Sequence, residues 1–398
     1  MRELTEQEIV RRQKVDEIRK TCNPYPERYE ITHTLKEASN LEDGTDNVSV
    51  AGRIVFMRKM GKMSFIKVRD IEADLQISIK VDLVGEEKYQ FFKSNFDVGD
   101  FIGATGEIFT THTGEKTLRA SSFEFLGKAL KPLPEKFHGL TDKELCYRNR
   151  YVDMIMNEDT RKNFLIRMNF IRELRRFLDS KGYYEVETPI LNNKPSGAVA
   201  KPFMAHHNAL DMDVYLRIAP ETYMKRSVIA GIPKVYEIAR CFRNEGMDAT
   251  HLQDFTMIEA YQAYYNYEDN MKFIRELLQT VIGKVFGTLN IQIGDKMVDL
   301  SGEWGRVSFR DLIMKYSNID INEYNTKEKL LSKIKEDKIE LDSETPIENL
   351  GYGNLVDYLY KKVARPHMLG PVYLTEHPMS LSPLARANDD NKEIRHVF

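Results

Sequence analysis

Arg243-Asn244-Glu245-Gly246, followed by His251 and then Phe255-Thr256-Met257-Ile258-Glu259, decides how this chain is read. An arginine and an acid stand at the mouth of a loop; an aromatic and a second acid stand on the segment that returns from it. Residues 235–243 and 254–262 are expected to pair as an antiparallel hairpin. Side chains two apart on a strand share a face, so Phe255, Met257, Glu259 and Tyr261 point the same way. Phe255 and Glu259 are separated by roughly 13 Å of extended chain. That spacing suits a ligand with a flat ring at one end and a cation at the other.

The bulk composition narrows the classes. A chain of 398 residues has room for two or three domains. With 42% hydrophobic and 30% charged residues the balance is that of an ordinary globular protein. The formal net charge of -3 gives no global basic field, so any contact with nucleic acid must come from a local patch. No apolar run approaches ~20 residues, and no membrane span is expected. Met1-Arg2-Glu3-Leu4-Thr5-Glu6 lacks the apolar stretch of a secretory signal. Cys22, Cys146 and Cys241 are far apart and odd in number, which argues against a disulfide framework or a zinc site. A reducing, cytoplasmic location is the expectation.

Outward from the hairpin, the pattern separates two regions. Residues 4–21 read as a charged surface helix closed by Asn23-Pro24-Tyr25-Pro26, within a lead-in of 1–46. Five β-rich runs follow, Val48–Val55, Ser64–Arg69, Leu75–Lys80, Asp100–Phe109 and Thr117–Leu126. Five short strands in so little chain predict a small closed barrel of the OB type over 47–128. Pro132 and Pro134 mark a linker, 129–144. Beyond it Phe164, Met168, Ile171, Leu174 and Leu178 recur at helical spacing as one buried stripe. Residues 145–398 are expected to form an α+β core of antiparallel strands with helices, carrying a helical insertion at about 303–370.

At this point the residues resemble the class II aminoacyl-tRNA synthetases, and within them the lysyl-tRNA synthetase family. Tyr184-Glu185-Val186-Glu187-Thr188-Pro189-Ile190-Leu191 is similar to the end of the first class II motif. Tyr236 through Gly246, with the return to Glu259, is similar to the second. Ser196-Gly197-Ala198-Val199-Ala200-Lys201-Pro202-Phe203, His206-His207-Asn208-Ala209-Leu210, Leu216-Arg217-Ile218-Ala219-Pro220-Glu221 and Ser382-Pro383-Leu384-Ala385-Arg386 resemble segments of the lysine enzymes. The ordered set runs along the whole chain.

The resemblance implies a lysine–tRNA ligase using ATP and Mg²⁺, with L-lysine and tRNA(Lys) as partners, working as a homodimer. It implies that Arg243 is catalytic, holding the substrate carboxylate and the α-phosphate. Glu245 would accept from the adenine amino group, His251 would meet the distal phosphates, and Phe255 would stack on adenine. Gly197, Glu221, Glu259 and Tyr261 would bind lysine; the alternative for Glu221 is a helix N-terminal acid, and for Tyr261 a core residue. Phe65, Gln76 and Glu124 would read the anticodon, with Arg53, Arg58, Lys59 and Lys62 on its phosphates. A solvated face explains those cations as well.

Two departures accompany the match. His251 is followed by Leu252-Gln253-Asp254, where the family commonly shows Asn-Pro-Glu. The glycine-rich third motif, G-x-G-x-G-x-D-R, occurs nowhere in the sequence. Its arginine and the magnesium carboxylates are expected beyond Phe398, leaving no metal ligands in the chain. A C-terminally incomplete sequence is therefore expected, binding tRNA better than it activates lysine. The alternatives are a tRNA-binding fragment or paralogue with impaired catalysis, and an aspartyl or asparaginyl enzyme built on the same two regions.

Overall fold

The computed structural model describes residues 3–134, 142–248, 250–343 and 345–398. Residues 135–141, the middle of the expected linker, lie outside the described residues. The chain divides into two compact units, Met1–Met168 and Asn169–Phe398.

The first unit opens with α1 (Glu6–Thr21), started by a reciprocal capping box. Thr5 and Glu8 each accept a hydrogen bond from the other's backbone N–H. Although few of its residues are apolar, Val15 and Ile18 are buried. Charge completes the anchorage: Lys14 meets Asp97 at 2.7 Å, and Arg11 donates to the carbonyls of Val98 and Ala129. After α2 (Leu35–Ser39) come β1 (Val48–Lys59), β2 (Met63–Arg69), β3 (Asp74–Lys80), β4 (Phe101–Thr110) and β5 (Lys116–Gly127). They close a barrel in the order β1-β2-β3-β5-β4, with β3 and β5 parallel. On β2 the alternation is clean: Ser64, Ile66 and Val68 point inward, Phe65 and Lys67 outward. Two helices not expected from the sequence, α3 (Val81–Val84) and α4 (Glu86–Asn95), connect β3 to β4. Tyr89 and Phe92 of α4, with Phe96, join Phe123 and Phe125 in the barrel core. Short helices α5 (Lys143–Arg148) and α6 (Arg150–Met156) lead to α7 (Glu158–Ser180).

In the second unit β6 (Tyr184–Glu185), β7 (Leu191–Asn192), β8 (Met204–His207) and β9 (Met212–Leu216) precede α8 (Glu221–Ile229). Then comes the hairpin, β10 (Lys234–Phe242) and β11 (Asp254–Gln262). It is antiparallel as expected, with β6 added in parallel on the β10 side. One hairpin face carries Tyr236 and Ile238, packed with Leu174, Phe177, Leu178 and residues of α9 (Tyr267–Phe286). The expected α7 stripe is partly corrected: Met168 is 46% exposed, because Phe170 and Phe177 share the contact with the sheet instead. A further hairpin, β12 (Asn290–Ile293) and β13 (Lys296–Asp299), is followed by β14 (Gly305–Ser308). Helices α10 (Phe309–Ser317), α11 (Lys327–Glu336) and α12 (Tyr352–Val363) then build a separate core around Phe309, Leu330 and Leu355. They return to β15 (Val372–Thr375), parallel to β14.

Candidate active site and nucleic-acid face

The register fixes the site. Cys241 lies opposite Phe255, Ala239 opposite Met257, Glu237 opposite Glu259 and Val235 opposite Tyr261. Directly opposed residues project to the same side, so these eight share the face away from Tyr236. Val235, Glu237, Ala239 and Cys241 are buried there.

At one end stands the Arg243–Phe255 half. The Arg243 guanidinium carbon lies 5.2 Å from the centroid of the Phe255 ring, and Arg243 Nε is buried without a partner. A buried guanidinium N–H with nothing to donate to costs free energy, which an anionic ligand would recover. Glu245 is exposed and accepts from the backbone N–H of Lys201 at 3.2 Å. The N–H of Asn244 donates to the Lys201 carbonyl at 2.7 Å, so the segment after Gly197 is laced to the hairpin mouth. His251 is also exposed, its Nδ1 at 2.9 Å from Asp248. Hydrogen bonds from Thr250 and His251 hold the Asp248 carboxyl far below the usual range. Asp248 was not singled out in the sequence.

At the other end stands the acidic half. Glu259 is half-buried and accepts from the Tyr261 hydroxyl at 2.8 Å. Burial pushes its carboxyl up, Tyr261 pulls it back, and Glu221 and Glu237 push it up further. Burial and Glu259 raise the Tyr261 phenol in turn. Gly197 has φ +89, and a Cβ there would come within 3.0 Å of the Glu221 Cβ and 3.2 Å of the Ala219 Cβ. The backbone of the Gly197 loop thus approaches the start of α8 as closely as only glycine allows. Glu221 itself pairs with Lys225 at 2.6 Å. Beneath them Glu237 is buried, bound to Arg217 at 2.6 Å and to the Thr188 hydroxyl at 2.7 Å. A cavity of about 610 Å³ lined by Phe170, Ile258, Ala260 and Phe273 opens mainly on the opposite, apolar face. It does not contain the Arg243–Phe255 pair.

The outer face of the barrel separates the other candidates. Phe65 and Gln76 are diagonal neighbours, because Phe65 opposes Ser78 and Lys67 opposes Gln76. Arg58 opposes Phe65 from β1. Gln76 donates to the Thr117 hydroxyl at 2.9 Å, and Glu115 pairs with Lys67 at 3.2 Å beside it. Glu124 is not part of this group. It stands opposite Gly103, seven residues along β5 from Thr117, the partner of Gln76, or roughly 20 Å of strand. Arg53 is also elsewhere. It donates to the Gly99 carbonyl at 2.7 Å and lies over the Phe101 ring, five residues along β1 from Arg58. Lys59 donates to the carbonyls of Lys93 and Phe96.

Comparison with known proteins joins these observations. Residues 142–397 match the family model for class II tRNA synthetases (D, K and N), and residues 48–126 match that for the OB-fold nucleic acid binding domain. A lysine–tRNA ligase of Bacillus subtilis is 39% identical over 406 residues, covering 100% of this chain and 80% of the relative. One from Carboxydothermus hydrogenoformans is 41% identical over 399 residues, covering 100% and 80%. One from Thermosipho africanus is 40% identical over 400 residues, covering 98% and 78%. The chain belongs to the class II lysyl-tRNA synthetase family. A synthetase of this family needs an adenylate-forming cleft and a tRNA-reading module. The hairpin of the second unit lies within the matched synthetase segment, and the barrel of the first within the matched OB-fold segment. Among the described residues no group of three or more His, Cys, Asp or Glu side chains is placed to hold a metal ion, and no helix is long and apolar enough to cross a membrane.

Proposed function

We propose that this chain joins L-lysine to ATP as lysyl-adenylate, releasing pyrophosphate, and then passes the lysyl group to the 3′ end of tRNA(Lys). The observation that carries this reading is Glu259. It is a half-buried carboxylate on the Phe255 face with no cation in ion-pair distance among the described residues. A buried charge needs a partner, and a substrate ammonium supplies one. An aspartate or asparagine enzyme would need no such acid at that end.

The chemistry follows from the arrangement. Adenine stacks on Phe255 with its amino group toward Glu245, while Arg243 reaches both the lysine carboxylate and the α-phosphate. A carboxylate oxygen attacks the α-phosphorus, pyrophosphate leaves, and the guanidinium neutralises the charge that accumulates. No protein nucleophile is required; positioning does the work. A tRNA 3′-terminal hydroxyl then attacks the adenylate carbonyl and AMP leaves. His251 faces the distal phosphates from the loop, and Gly197, Glu221 and Tyr261 complete the lysine subsite. The tRNA contact is assigned to the Phe65–Gln76 group with Arg58, Lys67 and Glu115, rather than to Glu124 and Arg53. The homodimer is assigned to α7, and the location to the cytoplasm.

The test is ATP–pyrophosphate exchange by the 398-residue chain with lysine, aspartate or asparagine. Whatever exchange the chain supports is expected with lysine and not with aspartate or asparagine. Exchange with aspartate would overturn the amino-acid assignment. Binding of tRNA(Lys) without any exchange would favour a tRNA-binding role.

A further inference from the structure

The acidic half of the site holds three carboxylates, Glu221, Glu237 and Glu259, and two of them already own a cation. Lys225 takes Glu221 on the same helix at 2.6 Å. Arg217 takes Glu237 at 2.6 Å, with both side chains 5% exposed. The second pair is built into the fold. Arg217 Nε donates to the Arg240 carbonyl at 2.8 Å, and its Nη1 donates to the Thr188 carbonyl and hydroxyl at 3.0 Å. Glu237 accepts from Thr188 with its remaining oxygen.

Glu237 faces Glu259 directly across the hairpin, which sets their Cβ atoms roughly 5 Å apart. Two carboxylates at that separation resist ionising together, and one would take up a proton unless a charge between them is cancelled. Arg217 cancels the charge of Glu237. Three carboxylates and two cations then leave one net negative charge, and it resides on Glu259.

We propose that Arg217 is a positioning residue for the amino-acid substrate, holding Glu237 as a closed ion pair so that the site presents one net negative charge, matched to one substrate ammonium. This rests on the lysine reading above. Arg217 acts through Glu237 and touches no substrate. The pair also ties the end of β9 to β10, and that purely structural role is the rival explanation.

The two explanations part when the charge is changed without emptying the space. Glu237→Gln keeps the shape and an oxygen for Arg217 but leaves the guanidinium unbalanced beneath the ammonium subsite. Its lysine affinity, read by calorimetric titration of the full chain, is expected to fall about tenfold or more, because unit charges so close repel strongly at an effective dielectric near ~20. ATP affinity is expected to stay within about threefold. Norleucine, which lacks the side-chain ammonium, should bind both proteins alike. The double variant Arg217→Met/Glu237→Leu removes both charges and keeps the count, so it is expected to restore lysine to within about threefold of the unaltered chain. Lysine affinity unchanged in Glu237→Gln would overturn the inference. So would equal loss of lysine, norleucine and ATP, or a folded double variant that binds lysine as poorly as the single one. Failure of the unaltered chain to bind lysine at all would instead overturn the amino-acid reading, and this inference with it.

Discussion

Replacing Glu259 by Gln tests the lysine subsite on two independent readouts that should move in opposite directions. Binding comes first. Glu259 is the acid left without a cation, so on the proposed reading it is the group that meets the substrate ammonium. A hydrogen bond to a charged group contributes about 1.5–3 kcal/mol, which converts to a roughly 10- to 150-fold rise in the lysine KM at 1.4 kcal/mol per tenfold. The ATP KM should change little, because Phe255 and Arg243 lie at the other end of the face. Stability comes second. Burial and the neighbours Glu221 and Glu237 raise the Glu259 carboxyl in the folded state, against the partial offset of Tyr261. A raised carboxyl stabilises the fold while protonated, and that contribution is lost as pH rises through its folded value. At neutral pH the ionised group is therefore a net cost to the ligand-free protein, and Gln removes it. The variant should unfold at the same temperature as the parent or higher at pH 7.5. The gap should close as pH falls below about 4.3, where the carboxyl is protonated in the folded and the unfolded protein alike. The assays are lysine-dependent exchange and thermal unfolding over that pH range. A variant less stable at pH 7.5, with lysine and ATP KM raised in parallel, would show that Glu259 supports the sheet instead of the substrate.

Gly197→Ala should raise the lysine KM with little effect on ATP. A residue with a Cβ at φ +89 is strained by about 1–2 kcal/mol, and its methyl would press on the Glu221 Cβ at 3.0 Å; unchanged lysine kinetics would show that the loop does not border the subsite. Phe255→Ala should raise the ATP KM by roughly 5- to 150-fold, from a stacking contribution of about 1–3 kcal/mol, whereas Phe255→Tyr should keep it. Gln76→Ala and Glu115→Gln should each weaken tRNA(Lys) in filter binding while Glu124→Gln leaves it within about twofold, since a lost base-edge contact contributes about 1–3 kcal/mol. The reverse ranking would return the anticodon contact to the far end of β5.

The fold was legible where one period ruled a long segment, and obscure where a local interruption changed the count. The hairpin came through because both arms are strand formers broken by Arg243-Asn244-Glu245-Gly246, and its register follows once Cys241 is set against Phe255. That same register places Glu237 against Glu259, so the charge pair beneath the subsite was within reach of the sequence. Its partner was not, because Arg217 arrives from β9, and nothing in the spacing says which buried acid it meets. The barrel strands were visible from alternation, whereas α3 and α4 were hidden by their brevity in a run where Phe91 and Phe92 read as strand or helix alike. Met168 failed for the opposite reason: a helical stripe shows which residues could face a core, and the sheet covers only the part of α7 around Leu174 and Leu178.

Glu124 shows why the candidate nucleic-acid face was less legible than the active site. Glu124 lies on the outer surface of the barrel, exposed between the buried Phe123 and Phe125. Facing outward is not the same as being near Gln76. β3 meets β5 only over Thr117–Ala120, and a register shift against β4 intervenes between Thr105 and Gly106 before Glu124 is reached. A bulge of this kind re-aims the side chains beyond it, and counting by twos cannot cross it. Glu115 is brought to Gln76 by the parallel β3–β5 pairing, a contact between segments about 40 residues apart that only barrel closure creates. Sites carried by one hairpin can be read from its register; sites assembled by closing a barrel need the closure itself.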